Sequence, residues 1–190
     1  MISIELSARD LEETTSRLAH VNRGLPRAIV NAINQTSAGV RTDLVKAVGQ
    51  KINLPASRTR AQVVFCRATL KNPSAAVIAK DRKAPLIHFK ARPSQPFRKG
   101  GRRPRIGVSA QPFKTGVRQA YPGSFVARMQ SGHTGVFIRK GRRRLPIREL
   151  LGPSAADALR QGPDLGQIER KAQMRLKERF QHEVERLLRG

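Results

Sequence analysis

The chain has 190 residues, of which 38% are hydrophobic, 4% aromatic and none Trp, which suits one modest core with attached arms, or a core with a small subdomain. Lys and Arg number 38 against 13 Asp and Glu, a formal net charge of +25; self-repulsion on this scale calls for a polyanion or an acidic protein surface as partner. The single Cys66 excludes a disulfide framework and a Cys-based zinc site, and no apolar run approaches the roughly 20 residues of a membrane span.

In chain order, Ile2, Ile4 and Leu6 alternate with polar residues and predict a short strand. Nothing in this start has the basic and long apolar regions of a signal peptide, so a reducing cytoplasm, or something assembled there, is the expected setting. Ser7 and Asp10 then read as a capping-box variant opening a first helix with Leu11, Leu18 and Val21 on one face. Gly24-Leu-Pro26 breaks it, and Pro26 suits the first turn of the next helix. That second helix carries Ile29, Ile33, Val40, Leu44 and Val48 at helical spacing and should end before Pro55. Gly39 inside it predicts close packing, since glycine costs about 1 kcal/mol against alanine there.

From Gln62 the period changes to that of strands. Gln62–Leu70 and Ser74–Ala79 read as two strands around Lys71-Asn-Pro73, and Leu86–Phe89 as a third. Cys66 is expected to pack as a small apolar side chain. Residues 91–118, with four prolines and Arg98-Lys-Gly-Gly-Arg-Arg103, predict an extended basic loop or β-arm with little regular structure. Strands resume at 124–130 and 134–139, and a short helix follows Pro153. The chain closes on a helix from about Asp164 to Leu188, striped by Ile168, Ala172, Leu176, Phe180, Val184 and Leu187, with Glu169, Glu178, Glu183 and Glu185 available for i,i+4 pairs. The expected fold is a single α+β domain: residues 1–55 helical, 56–90 strands, 91–118 the basic arm, 119–160 strands and a corner, 164–189 the last helix. Its helices would pack on a small, mainly antiparallel sheet.

Two basic clusters carry the functional signal: Arg98, Lys99, Arg102, Arg103 and Arg105 in the arm, and Arg139, Lys140, Arg142, Arg143 and Arg144 after the last long strand. Guanidinium forks bind phosphate or carboxylate oxygens in pairs, and adjacent glycines let the backbone approach. They are expected to contact DNA or an acidic ring of protein. No recognition-helix or zinc-finger pattern accompanies them, and stacking aromatics are scarce. The four histidines share no metal-binding spacing, Asp43 and Asp81 stand alone in sequence, and Lys114-Thr-Gly116 lacks its companion serine motif. No enzyme, cofactor or metal site is expected. A cytoplasmic nucleic-acid-binding protein, ribosome- or nucleoid-associated, fits the charge equally well.

The order of elements, with Ala32-Ile-Asn-Gln-Thr36, Gly135-Val-Phe-Ile-Arg139 and Pro146-Ile-Arg-Glu-Leu-Leu-Gly-Pro-Ser154, resembles the minor tail protein Z (tail completion) family of phages and prophages. The resemblance implies a virion protein of the tail neck, assembled in the host cytoplasm, which completes the tail and helps join it to the filled capsid. It implies a closed ring, six copies head to tail, among small α+β neck proteins. The implied partners are a tail terminator or tail tube protein, head-tail connector proteins and DNA in the channel, with no membrane. No catalytic residue carries over. The matches at Gly135, Pro146, Gly152 and Pro153 imply corners and close backbone approach. Phe125, Val136, Phe137, Pro146, Ile147, Leu150, Leu151, Gly152 and Pro153 are expected to shape a subunit contact.

Overall fold

The computed structural model describes residues 2–7, 24–97, 106–160 and 164–189. The helix with Leu11, Leu18 and Val21 and the basic cluster 98–105 lie outside those residues. The first strand, β1, covers Ile2–Ser7 and leads to α1, Leu25–Lys51, with proline in its first turn as its sequence requires. The helix gives way to extended chain at Ile52, ahead of Pro55. Ala28, Ala32, Ile33, Val40, Leu44, Ala47 and Val48 form its buried stripe. A Cβ at Gly39 would run into the guanidinium of Arg175, which lies across the helix and donates to Asp43 at 3.1 Å. Close packing at Gly39 is therefore observed.

The next element is one the residue pattern did not announce. Ala56–Gln62 is a short helix, α2, where strand was expected. Thr59 is its one buried residue, so apolar spacing carried no trace of it. Arg41 of α1 donates to the Arg60 and Val63 carbonyls at its C-terminal end, both at 3.0 Å. The strand after it, β2, is only Val63–Cys66, and Cys66 is exposed at its end instead of packed. β3, Ser74–Ala79, runs between β1 and β2, antiparallel to both. Its Ala75, Val77 and Ala79 point to the core with Ile4 and Leu6 of β1, and α1 covers that face.

Leu86–His88 is a 3-10 turn, not a strand. Leu86 and Phe89 are both buried, a spacing of three that turns one side inward, which a strand's spacing of two cannot do. Within 106–118 a strand forms where little regular structure was expected. β4, Val108–Ala110, pairs antiparallel with β5, Gln119–Tyr121, and Val108 and Ala110 enter the core. Arg92 and Ser109 exchange both backbone hydrogen bonds, at 2.7 and 2.8 Å, which ties the two sides of the arm together at its root. Asn53 then fastens residues 111–113 to the end of α1, its amide donating to the Gln111 carbonyl at 3.0 Å and its N–H to that of Pro112 at 2.8 Å.

β6, Ser124–Arg128, and β7, Thr134–Arg139, form the expected hairpin, and β8, Ile147–Glu149, adds a third antiparallel strand within the corner segment. α3, Ala155–Arg160, is the short helix after Pro153. α4, Asp164–Arg189, packs along α1 through Ile168, Ala172, Leu176 and Phe180. Glu183 belongs to this seam and not to the outer face. It is 3% exposed and accepts from Gln35 at 3.1 Å, Asn31 at 3.4 Å and Arg186 at 2.8 Å, so its buried charge is answered. Asn34, on the next side of α1, exchanges a pair of hydrogen bonds with the backbone of Ala68 at 2.9 and 3.1 Å. Asn34 and Gln35 thus join α1 to the β2 exit and to the last helix. The architecture is α+β, with small antiparallel sheets and a long C-terminal helix, as expected.

Candidate functional site

The corner segment after the basic loop spends its residues inside the chain. Ile147–Glu149 pairs with β7. The Leu150 N–H donates to the Val136 carbonyl at 2.8 Å, and its own carbonyl accepts from Leu86 at 2.9 Å. The Gly152 N–H reaches the Ala84 carbonyl at 2.8 Å. Gly152 lies flat on the ring of Phe89, so close that any Cβ would enter the ring. Ser154 and Asp157 then form a reciprocal capping box for α3, each N–H donating to the other's side chain at 3.0 Å. The Ser154 hydroxyl donates onward to Asp81 at 3.0 Å, and Arg160 pairs with Asp81 at 2.9 Å. These hydrogen bonds hold both carboxyls below the usual carboxylate range: Arg160 and then Ser154 for Asp81, the Ser154 backbone and side chain for Asp157.

Of the residues expected to shape a subunit contact, Val136, Phe137 and Gly152 are buried in the chain's own fold. Phe125, Ile147, Leu150 and Pro153 are half-buried, which leaves Pro146 and Leu151 with open faces. Leu145 and Leu151 are 64% and 50% exposed, the apolar groups here that a second surface could cover.

The second basic cluster lies on the surface. Arg139 at the end of β7 and Lys140, Arg142, Arg143 and Arg144 on the connection to β8 are all exposed, and among the described residues no acid is within ion-pair distance of any of them. The Lys140 N–H donates to the Pro146 carbonyl at 3.0 Å and closes the loop at its base. Arg139 lies over the Phe125 ring at 5.7 Å, a cation–π position. The loop is therefore a row of unpaired cations on a fixed base, suited to phosphate or carboxylate oxygens. Arg98, Lys99, Arg102, Arg103 and Arg105 lie outside the described residues.

At the other end of β7, roughly 17 Å of strand away, the fold builds a second positive surface. A cleft of about 630 Å³ is lined by Arg58 of α2, by Lys80, Arg82 and Lys83 after β3, and by His88 and His133. Residue reasoning passed over it because these cations come from separate segments; the run Lys80-Asp-Arg-Lys83 was the signal available. Burial, with Arg58 and His133 beside it, pushes the His88 imidazole below its ordinary range. His133 pairs with Glu149 at 2.7 Å. Among the described residues no group of three or more His, Cys, Asp or Glu is placed to hold a metal ion, and no helix is long and apolar enough to cross a membrane.

The α+β frame thus saturates its marked corner internally and exposes a row of cations with no acid in ion-pair range among the described residues. Residues 9–190 match the family model of prophage minor tail protein Z, and the chain belongs to that family. No curated protein and no solved structure matches it. Membership makes it a phage tail protein and a component of the virion.

Proposed function

We propose that this protein is a structural component of the phage tail neck. Copies of it, six in number, pack head to tail into a closed ring at the head-proximal end of the tail, which completes the tail and helps join it to the DNA-filled capsid. Heterologous contacts between identical chains close into a ring when the rotation between neighbours closes. The observation that carries the reading is the exposed, unpaired Arg139–Arg144 loop in a member of a tail-protein family. That loop faces genomic DNA in the channel or an acidic neighbouring ring. The tail terminator or tube protein and the head-tail connector are the adjoining partners, and the exposed Leu145 and Leu151 supply apolar contact beside the cations. As a scaffold of this kind it is not an enzyme and needs no cofactor.

Negative-stain images of particles lacking the protein, with the mass of the purified chain in solution, test the reading. Tails that fail to join capsids and a ring-sized oligomer are expected. A strict monomer absent from purified virions would overturn it. Tight, sequence-selective binding of duplex or RNA that survives high salt would point instead to a cytoplasmic nucleic-acid-binding protein, because phosphate-driven binding loses about 10³–10⁵ in affinity between 50 and 200 mM salt for 6–10 contacts.

A further inference from the structure

We infer that the cleft between α2, residues 80–88 and the β6–β7 turn is a docking slot for an acidic polypeptide segment of a protein that this chain assembles with. It draws on the tail-neck reading only for the setting and does not depend on ring closure. The first argument is charge. Arg58, Lys80, Arg82 and Lys83 are exposed around one concave surface, and among the described residues no acid is within ion-pair distance of any of them. Asp81, the one acid in the 80–83 run, is turned to Arg160 and Ser154. Glu149 nearby is engaged by His133. The slot thus presents four cations with no acid in ion-pair range among the described residues.

The second argument is shape and lining. A volume of about 630 Å³ admits a few side chains on an extended backbone. A duplex, whose major groove alone is about 12 Å wide, cannot enter. No Phe, Tyr or Trp lines the cleft, so a single strand would find only the imidazoles of half-buried His88 and Glu149-paired His133 to stack its bases on. Ala61, Ala84 and Pro85 give the cleft small apolar walls that let a peptide backbone lie close. Lysine and arginine stems can lie along such walls while their heads reach carboxylates. These features favour carboxylates on a polypeptide over phosphates on a nucleic acid.

The test uses the full-length chain and a fluorescent hexaglutamate peptide, read by anisotropy at about 0.15 M salt, where distant surface charges are screened. A hexaglutamine peptide is the neutral control, and a labelled DNA duplex the competing polyanion. Two variants neutralise the slot from different elements, R58Q on α2 and K80Q/R82Q/K83Q after β3; R142Q/R143Q/R144Q serves as the distant cationic control. These side chains are exposed, so folding should be kept, and circular dichroism and thermal melts check it. The triple slot variant should weaken hexaglutamate binding at least about threefold, as loss of three surface ion pairs implies. R58Q should weaken it less, and the distant control by less than about twofold. Duplex binding should respond to the distant control and not to the slot variants. Absence of hexaglutamate binding, equal loss in slot and control variants, or duplex binding that falls with the slot variants would each overturn the inference. An unclosed ring with intact slot binding would overturn the ring reading alone.

Discussion

The Arg139–Leu145 loop and the Pro146–Ser154 corner are neighbours in sequence and opposites in use. The loop presents five exposed cations and almost no internal partner beyond the hydrogen bond at its base. The corner ties β7, residues 84–86, the Phe89 ring and α3 into one unit through backbone hydrogen bonds and a capping box. A motif visible in sequence can therefore mark a shape the chain must hold, while the segment beside it, without fixed internal partners, is free to meet another molecule. Substitutions of one kind placed in both segments should separate these roles.

A matched glycine pair gives the largest contrast. A Cβ at Gly152 would enter the Phe89 ring, and Phe89 is 0% exposed and has no open side to move into. Gly141, in the loop, has nothing within 4 Å of such a Cβ. Gly152→Val should lower unfolding free energy by about 3 kcal/mol, the upper range for overpacking. Gly141→Val should stay within about 0.5 kcal/mol of the parent. Urea unfolding of the two variants decides, and equal effects would remove the distinction.

Next in size is Ser154→Ala. It deprives the Asp157 N–H of its acceptor and Asp81 of a donor. Loss of an N-cap and of a buried hydroxyl's hydrogen bonds costs about 1–2 kcal/mol, readable as a lower melting temperature. The hexaglutamate slot on the far side of residues 80–83 should still bind, because the lining cations are untouched.

The pH response is smaller and has two limbs. Asp81 and Asp157 are held below the ordinary carboxylate value in the fold. Their contribution is therefore present above about pH 4 and is lost as pH falls through their folded values. His88 is also pushed down, by burial and then by Arg58. The unfolded chain binds its proton first, so stability falls as pH drops below about 6.5 toward the folded value. Denaturant midpoints at pH 7.5, 5.5 and 3.5 should decline in that order. Ser154→Ala should flatten the acid limb and leave the histidine limb in place.

How much of this was legible follows from where each element's information resides. α1 and α4 carry long apolar stripes, and β3, β6 and β7 are short apolar runs beside turn residues, so their own residues announce them. α2 has one inward residue, Thr59, and the 86–88 turn is too short to show a period. Val108–Ala110 lies beside a run of arginine, glycine and proline, and becomes core only because Arg92 and Tyr121 flank it in the fold. The loop cations were visible because they are consecutive. The cleft cations were not, because α2 and residues 80–83 meet only after β3 has paired with β2. Glu183 looked like one more surface acid; only the approach of Asn31 and Gln35 from α1 makes its burial tolerable.

The smallest effect on stability should come from the loop itself. Arg142, Arg143 and Arg144 are exposed and unpaired, so R142Q/R143Q/R144Q should shift unfolding free energy by no more than about 0.5 kcal/mol, upward if at all, because it relieves like-charge repulsion. Its consequence should appear in binding. Each phosphate contact contributes about 0.9 to the slope of log affinity against log salt for duplex DNA. Loss of all three arginines should therefore reduce that slope by up to about 2.7. An unchanged slope with failed tail joining would assign the loop to an acidic protein ring instead of DNA. A large stability loss would mean that the loop, like the corner, is part of the frame.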